Sequence, residues 1–178
     1  TSDPVAGGWY FYELRADTGG FTGYLNDYPK LGVWSDGWYM SANMFQILAP
    51  GTGFGVRVWA LDKASMIGGG ALNEVHFDTC FGGVCDSLLP SNYRGALPPA
   101  GAPNYFLGAV APDSLGLYEF DVDWATPGNS TFTGPTALPV TPYTQPPWSD
   151  WIPQAGIAQM LDSLGDRLMF SLQYRNMG

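Results

Sequence analysis

The sequence predicts an all-β fold of antiparallel strands, and three observations carry that prediction. Short extended runs rich in aromatic and β-branched residues alternate between faces, as in residues 54–61 (FGVRVWAL). Turn residues separate these runs, with 24 glycines and 15 prolines in 178 residues, while the aromatic share of 15% argues against a disordered chain. Helical periodicity, heptads, charge blocks and low-complexity tracts are missing from the sequence.

Taken in order, residues 8–14 (GWYFYEL) are expected to form the first strand, with Trp9 and Phe11 on one face and Tyr10 and Tyr12 on the other. A Gly/Thr loop, 17–23, follows. The stretch from Asp27 to Phe45, DYPKLGVWSDGWYMSANMF, reads as a hairpin: an extended run at 30–34, a turn at Ser35-Asp36-Gly37, and a second run at 38–45. Asp-Gly between β-rich segments is a strong hairpin signal, because glycine takes positive φ without steric cost. Next come the alternating strand 54–61, with Val56, Val58 and Ala60 opposite Arg57 and Trp59, and a single helical turn at 62–67 capped by Asp62. Gly68-Gly69-Gly70 ends that turn.

A strand is expected at 73–78, then a cysteine loop and a Pro/Gly run at 89–103. Residues 104–110 and 115–124 form a second pair across Ala111-Pro112-Asp113-Ser114. Leu117, Glu119, Asp121 and Asp123 share one face of that second strand, and Tyr118, Phe120, Val122 and Trp124 the other. Pro135 and Pro139 mark 131–140 as an edge strand. A proline-rich connector at 142–153, a short helix at 156–161 and a closing strand at 166–176 complete the reading. The whole of 1–178 is expected to be one all-β segment.

Composition narrows the setting. Seven Lys and Arg against 16 Asp and Glu give a net charge of −9. That balance argues against nucleic acid and anionic membrane surfaces, both of which reward basic patches. No apolar run approaches membrane-spanning length, so no membrane span is expected. Few lysines with abundant Gly, Thr, Ser, Asn, Trp and Tyr fit an extracellular protein, and the opening Thr1-Ser2-Asp3-Pro4 is that expected of a processed segment. Cys80 and Cys85 enclose Phe-Gly-Gly-Val. A disulfide is the first expectation, free thiols the second, and zinc the last, since zinc needs about four ligands and only His76 lies near. No metal site and no cofactor are expected.

The closing strand resembles the second arm of the hairpin, Leu168-Met169-Phe170-Ser171 against Trp38-Tyr39-Met40-Ser41, each preceded by a polar turn with Asp and Gly, and the separation of the two suits a β-propeller. The hairpin run, the later GAPNYFLG, the segment FDVDWATPGNSTFTGPTALPV and the closing LDSLGDRLMFSLQYRNMG, in that order, resemble a family of large secreted bacterial β-propeller-like proteins of unassigned activity. Ser35 stands where such proteins more often carry proline, a change the turn tolerates. The resemblance implies antiparallel blades arranged as an incomplete ring, two blades and a fraction at four strands each. It also implies that the remainder of a longer polypeptide, or other chains, completes the ring and hides its sheet edges.

Two kinds of candidate site follow. Asp27 and Asp162, with Asp166 nearby, precede inner-strand candidates, where propeller glycosidases place funnel carboxylates. The competing reading is that they and Asp36 cap turns. Trp34, Trp38, Trp148 and Trp151, with Trp59 and Trp124, are candidates to stack on sugar rings, with Asp36, Asn43 and Arg57 bonding hydroxyls. Core packing is the competing role, with Trp148 and Trp151 the ones expected at the surface. His76 is the one histidine, so no Ser-His-Asp arrangement can be built around an elbow motif, and it is read as a structural histidine. Asp121, Asp123 and Glu119 alternate along a strand, a geometry that does not envelop calcium. The functional expectation is an extracellular structural or binding module of a bacterial surface or secreted assembly, with a glycan or protein ligand; the alternative is a glycan-active hydrolase using Asp27 and Asp162.

Overall fold

A computed structural model describes residues 3, 5–48, 53–146, 152–165 and 167–178. Two four-stranded antiparallel sheets dominate it. The first runs in chain order: β1 (Tyr24–Val33), β2 (Gly37–Gln46), β3 (Phe54–Asp62) and β4 (Glu74–Thr79). The second contains β5 (Leu89–Pro90), β7 (Asn104–Ala111), β8 (Ser114–Asp121) and β9 (Thr131–Pro139). A small parallel pair joins β6 (Asn92–Tyr93) to β10 (Gln173–Tyr174). The described strands do not close into a ring. Among the described residues no helix is long and apolar enough to cross a membrane.

The expected hairpin forms, with Val33 opposite Trp38 and Gly32 opposite Tyr39. Its first arm is longer than expected and carries a bulge between Asp27 and Lys30, where Tyr28 takes φ 53° ahead of Pro29. Proline is tolerated there because β1 is the edge strand of its sheet among the described residues. The helical turn α1 (Lys63–Ile67) begins as read, with the Asp62 side chain accepting from the Ser65 amide. Only Pro112 and Asp113 separate the paired residues Ala111 and Ser114. β9 lies at the edge of its sheet, as its prolines require.

Both faces of the first sheet are covered, which explains why β3 is buried from Gly55 to Leu61 instead of being half-exposed. On one face Tyr39, Val56, Val58, Ala60 and Val75 pack with Phe106, Tyr118 and Phe120 of the second sheet, forming one core with Trp34, Leu88 and the two cysteines. On the other, Ala42, Met44, Trp59 and Leu61 pack with Phe21, Leu14, Ala16 and Met66. The N-terminal segment and α1 therefore act as a lid over the outer face.

Gly32 sets how closely the two sheets meet. A Cβ there would lie 2.7 Å from the Ser91 carbonyl oxygen and 2.9 Å from the Pro90 side chain. Only a glycine lets the end of β1 approach the β5–β6 segment this closely.

Three expected elements differ. Residues 8–14 form no strand: among the described residues they join no ladder, and the segment is held instead by contacts such as the Tyr12 hydroxyl donating to the Met66 carbonyl at 3.0 Å. Residues 156–161 form no helix; Ile152 and Leu161 bridge as an isolated antiparallel pair. The closing strand 166–176 contracts to β10, and its partner is β6, a short strand inside the Pro/Gly run read as loop. Residue 166, and much of the connector 142–153, lie outside the described residues.

Candidate functional site

The tryptophan and arginine candidates separate by burial. Trp34 is fully buried, donates from Nε1 to the Ala102 carbonyl at 3.0 Å, and meets Tyr93, Tyr105 and Tyr174 edge-on. It is a core residue and has no surface to offer a ligand, because its hairpin end is wedged under the β6–β10 pair. Arg57 is also fully buried. Nε and Nη2 bond the two Asp78 carboxylate oxygens at 2.5 and 2.8 Å, Nη1 bonds the Ala16 carbonyl and Thr18 hydroxyl at 2.8 Å each, and Nη2 bonds the Thr18 carbonyl at 2.7 Å. All five guanidinium donors are satisfied within the protein, so Arg57 anchors the N-terminal segment and bonds no external hydroxyl. Trp59 is likewise buried.

Asp36 is a turn residue with a structural task. Its carboxylate accepts from the Tyr39 hydroxyl at 3.2 Å and from Trp124 Nε1 at 2.9 Å, tying the hairpin turn to the segment that follows β8. Burial, reinforced by the Asp36 carboxylate, pushes the Tyr39 hydroxyl well above its ordinary range, so it stays a protonated donor. Asn43 is buried and bonds Ser87 through both ends of its amide. These groups are committed to the fold. Trp148 and Trp151 lie outside the described residues.

Trp38 has a different setting. It is half-buried and lines an open cleft of about 310 Å³ with Gly8, Trp9, Tyr10, Tyr12, Met66 and Ile67. Trp9 and Tyr10 are 58% and 61% exposed. Tyr10 lies over Gly69, where a Cβ would sit 2.5 Å from its ring and φ is +73°, so glycine is needed to seat that wall. The cleft is thus an aromatic surface assembled from the N-terminal segment, β2 and α1. Sequence reasoning named Trp38 but missed Trp9, Tyr10 and Tyr12, because their alternation reads as a strand.

The carboxylate candidates are both exposed. Asp27 lies opposite Asn43 in the β1–β2 register. Asp162 accepts from the Leu164 amide at 2.9 Å, the turn-capping role set against catalysis. It also lines a recess of about 400 Å³ with Asn43, Phe45, Phe54, Gly83, Asp86 and Arg167. Asp27 is not among those lining residues; the structure brings Asp86, a residue not singled out in the sequence, to Asp162 instead.

Cys80 and Cys85 form the disulfide, with Cα atoms 5.1 Å apart, and both are buried in the shared core. His76 pairs with Glu74 at 3.0 Å. Asp123 accepts from the Ala125 and Thr126 amides and from Asn129, and the Thr126 amide first, then Asn129, holds its carboxyl below the ordinary value. Among the described residues no three metal-binding side chains cluster. A comparison with known protein families, curated proteins and solved structures finds no match to this chain.

Proposed function

We propose that the protein is a binding module of an extracellular assembly, and that its aromatic cleft takes the ring face of a sugar. The observation that carries this reading is the convergence of Trp9, Tyr10, Tyr12 and Trp38 on one open, mostly apolar cleft. Sugar C–H faces stack on such rings, and the exposed Tyr10 carries a hydroxyl able to bond those of a sugar. The disulfide accords with an oxidising compartment.

In this reading the two sheets are neighbouring propeller blades within a larger bacterial surface or secreted protein. Three features support it: each sheet has four antiparallel strands, the first is a simple meander in chain order, and the leading strands β1 and β5 lie against each other. Further blades, from the same polypeptide or other chains, would supply the ring.

Titration of the protein with neutral oligosaccharides by calorimetry tests the binding reading. Saturable binding is expected, weakened roughly 3- to 10-fold by Trp38→Ala or Tyr10→Ala, the size of one aromatic contact. No saturable binding across a glycan array, or binding indifferent to both substitutions, overturns it.

The recess holding Asp86 and Asp162 supports a second reading, glycan hydrolysis, since a carboxylate pair beside an arginine is the equipment such chemistry uses. Asp27, paired in register with Asn43 of the recess wall, belongs to the same test. Turnover of a glycan that persists unchanged in Asp162→Asn and Asp27→Asn removes that assignment.

A further inference from the structure

The seven cationic side chains of this acidic protein are almost all occupied. Arg15 pairs with Asp17 at 3.2 Å, Arg57 with Asp78, and Lys63 donates to the Trp34 carbonyl at 2.6 Å. Lys30 and Arg167 flank the Tyr28 ring at 3.2 and 5.2 Å from its centroid. Arg94 and Arg175 differ: among the described residues neither guanidinium has a carboxylate, carbonyl or ring partner.

The fold places these two side by side. β6 and β10 pair in parallel with Asn92 opposite Gln173 and Tyr93 opposite Tyr174, and the next position brings Arg94 level with Arg175. The Arg94 amide donates to the Tyr174 carbonyl at 2.9 Å, so the register holds through the arginines. Tyr93 and Tyr174 turn inward onto Trp34, and strand alternation sends both arginines outward together. They line one recess of about 310 Å³ with Gly95, Ala96, Asn176 and Met177. Asn176 braces its wall, donating to the Leu97 carbonyl at 3.0 Å and accepting from the Gly178 amide at 3.1 Å. No described acidic residue lines it.

Like charges directly opposite on neighbouring strands repel, and a protein with a net charge of −9 has ample acid to neutralise them. We propose that Arg94 and Arg175 form an oxyanion-binding site, taking a single carboxylate, sulfate or phosphate group of a ligand between two guanidinium forks. Each fork offers paired N–H donors in the geometry these groups accept. The same net charge repels a polyanion, so the ligand class is one carrying an isolated anionic group.

The test is a titration of the full chain with sodium acetate, sulfate and inorganic phosphate at constant ionic strength, followed through the arginine Nε–Hε resonances. Saturable shifts are expected at Arg94 and Arg175, with affinity falling at least roughly tenfold in Arg94→Gln and in Arg175→Gln. Arg94→Lys should restore only part of it, since lysine lacks the fork. Retained backbone spectra show that the variants are folded. Preference for acetate assigns a carboxylate ligand, and preference for sulfate or phosphate a tetrahedral one. Linear, non-saturating shifts for all three anions, or affinities unchanged in both glutamine variants, overturn the proposal.

Discussion

Arg57 shows how one side chain can hold a whole segment in place. Its five donors meet five acceptors, three of them on Ala16 and Thr18, so the loop before β1 is fixed from inside the sheet. Removing one partner of a buried ion pair strands the other, which costs about 3–5 kcal/mol. Arg57→Met is expected to destabilise by that amount in urea unfolding, and adding Asp78→Leu to recover part of it. A single variant no less stable than the wild type would show that the network contributes nothing. Asp62 offers a pH test at the same scale. The Ser65 amide first, then the Asn73 side chain, holds its carboxyl below the ordinary value of 3.8. A lowered folded value means that its stabilisation is complete above 3.8 and is lost as pH falls through the folded value. Asp62→Ala should therefore cost roughly 0.5–1 kcal/mol near neutrality, a cap's worth. The gap to the wild type should narrow as the pH falls below 3.8, and a gap constant over that range would contradict the assignment.

Among elements, the cysteine loop and the hairpin were the most legible. Four residues between Cys80 and Cys85, two of them glycine, suit a tight closure, and the disulfide forms there. A loop this short constrains the unfolded chain only modestly, by roughly 2 kcal/mol. The double substitution Cys80→Ala with Cys85→Ala is expected to lower stability by about that amount in denaturant titrations, with a further loss from vacating two buried positions. The opposite case is residues 8–14. Their alternating aromatics satisfy every local rule for a strand, yet a strand needs a neighbour's backbone, and no described strand pairs with them. The segment packs by its rings and builds the cleft instead. β6 escaped notice for the converse reason: two residues within a Pro/Gly run carry no periodicity, and only the arrival of β10 makes them a strand.

At the scale of the molecule, the two sheets share one core, and their aromatic rings interlock across it. Phe120 has ring centroids of Tyr39, Phe77, Phe106 and Phe132 within 6.2 Å. Phe120→Ala is expected to cost about 3–5 kcal/mol, with unfolding still a single transition, because neither sheet keeps a closed core without the other. Two separated transitions in calorimetry would mean that the sheets fold independently. The candidate residues divide along the same line. Trp34 and Arg57 carry chemistry that suits a ligand, but the packing of sheet on sheet and of lid on sheet consumed them. Trp38 likewise lies in an aromatic β segment, and the packing left it half-open.

The amino-acid order alone determined the turns, the β class, the hairpin, the Asp62 cap and the cysteine bridge, because each rests on residues a few positions apart and on backbone preferences that act locally. Which faces are covered was settled only in three dimensions. Arg57 meets Asp78 across neighbouring strands, Trp38 gains its aromatic companions from a segment that joins no described sheet, and Arg94 stands beside Arg175 through a parallel register joining distant parts of the chain. Such contacts depend on how sheets pack and chain ends return, and the free energy that selects them belongs to the assembled core and to no local stretch.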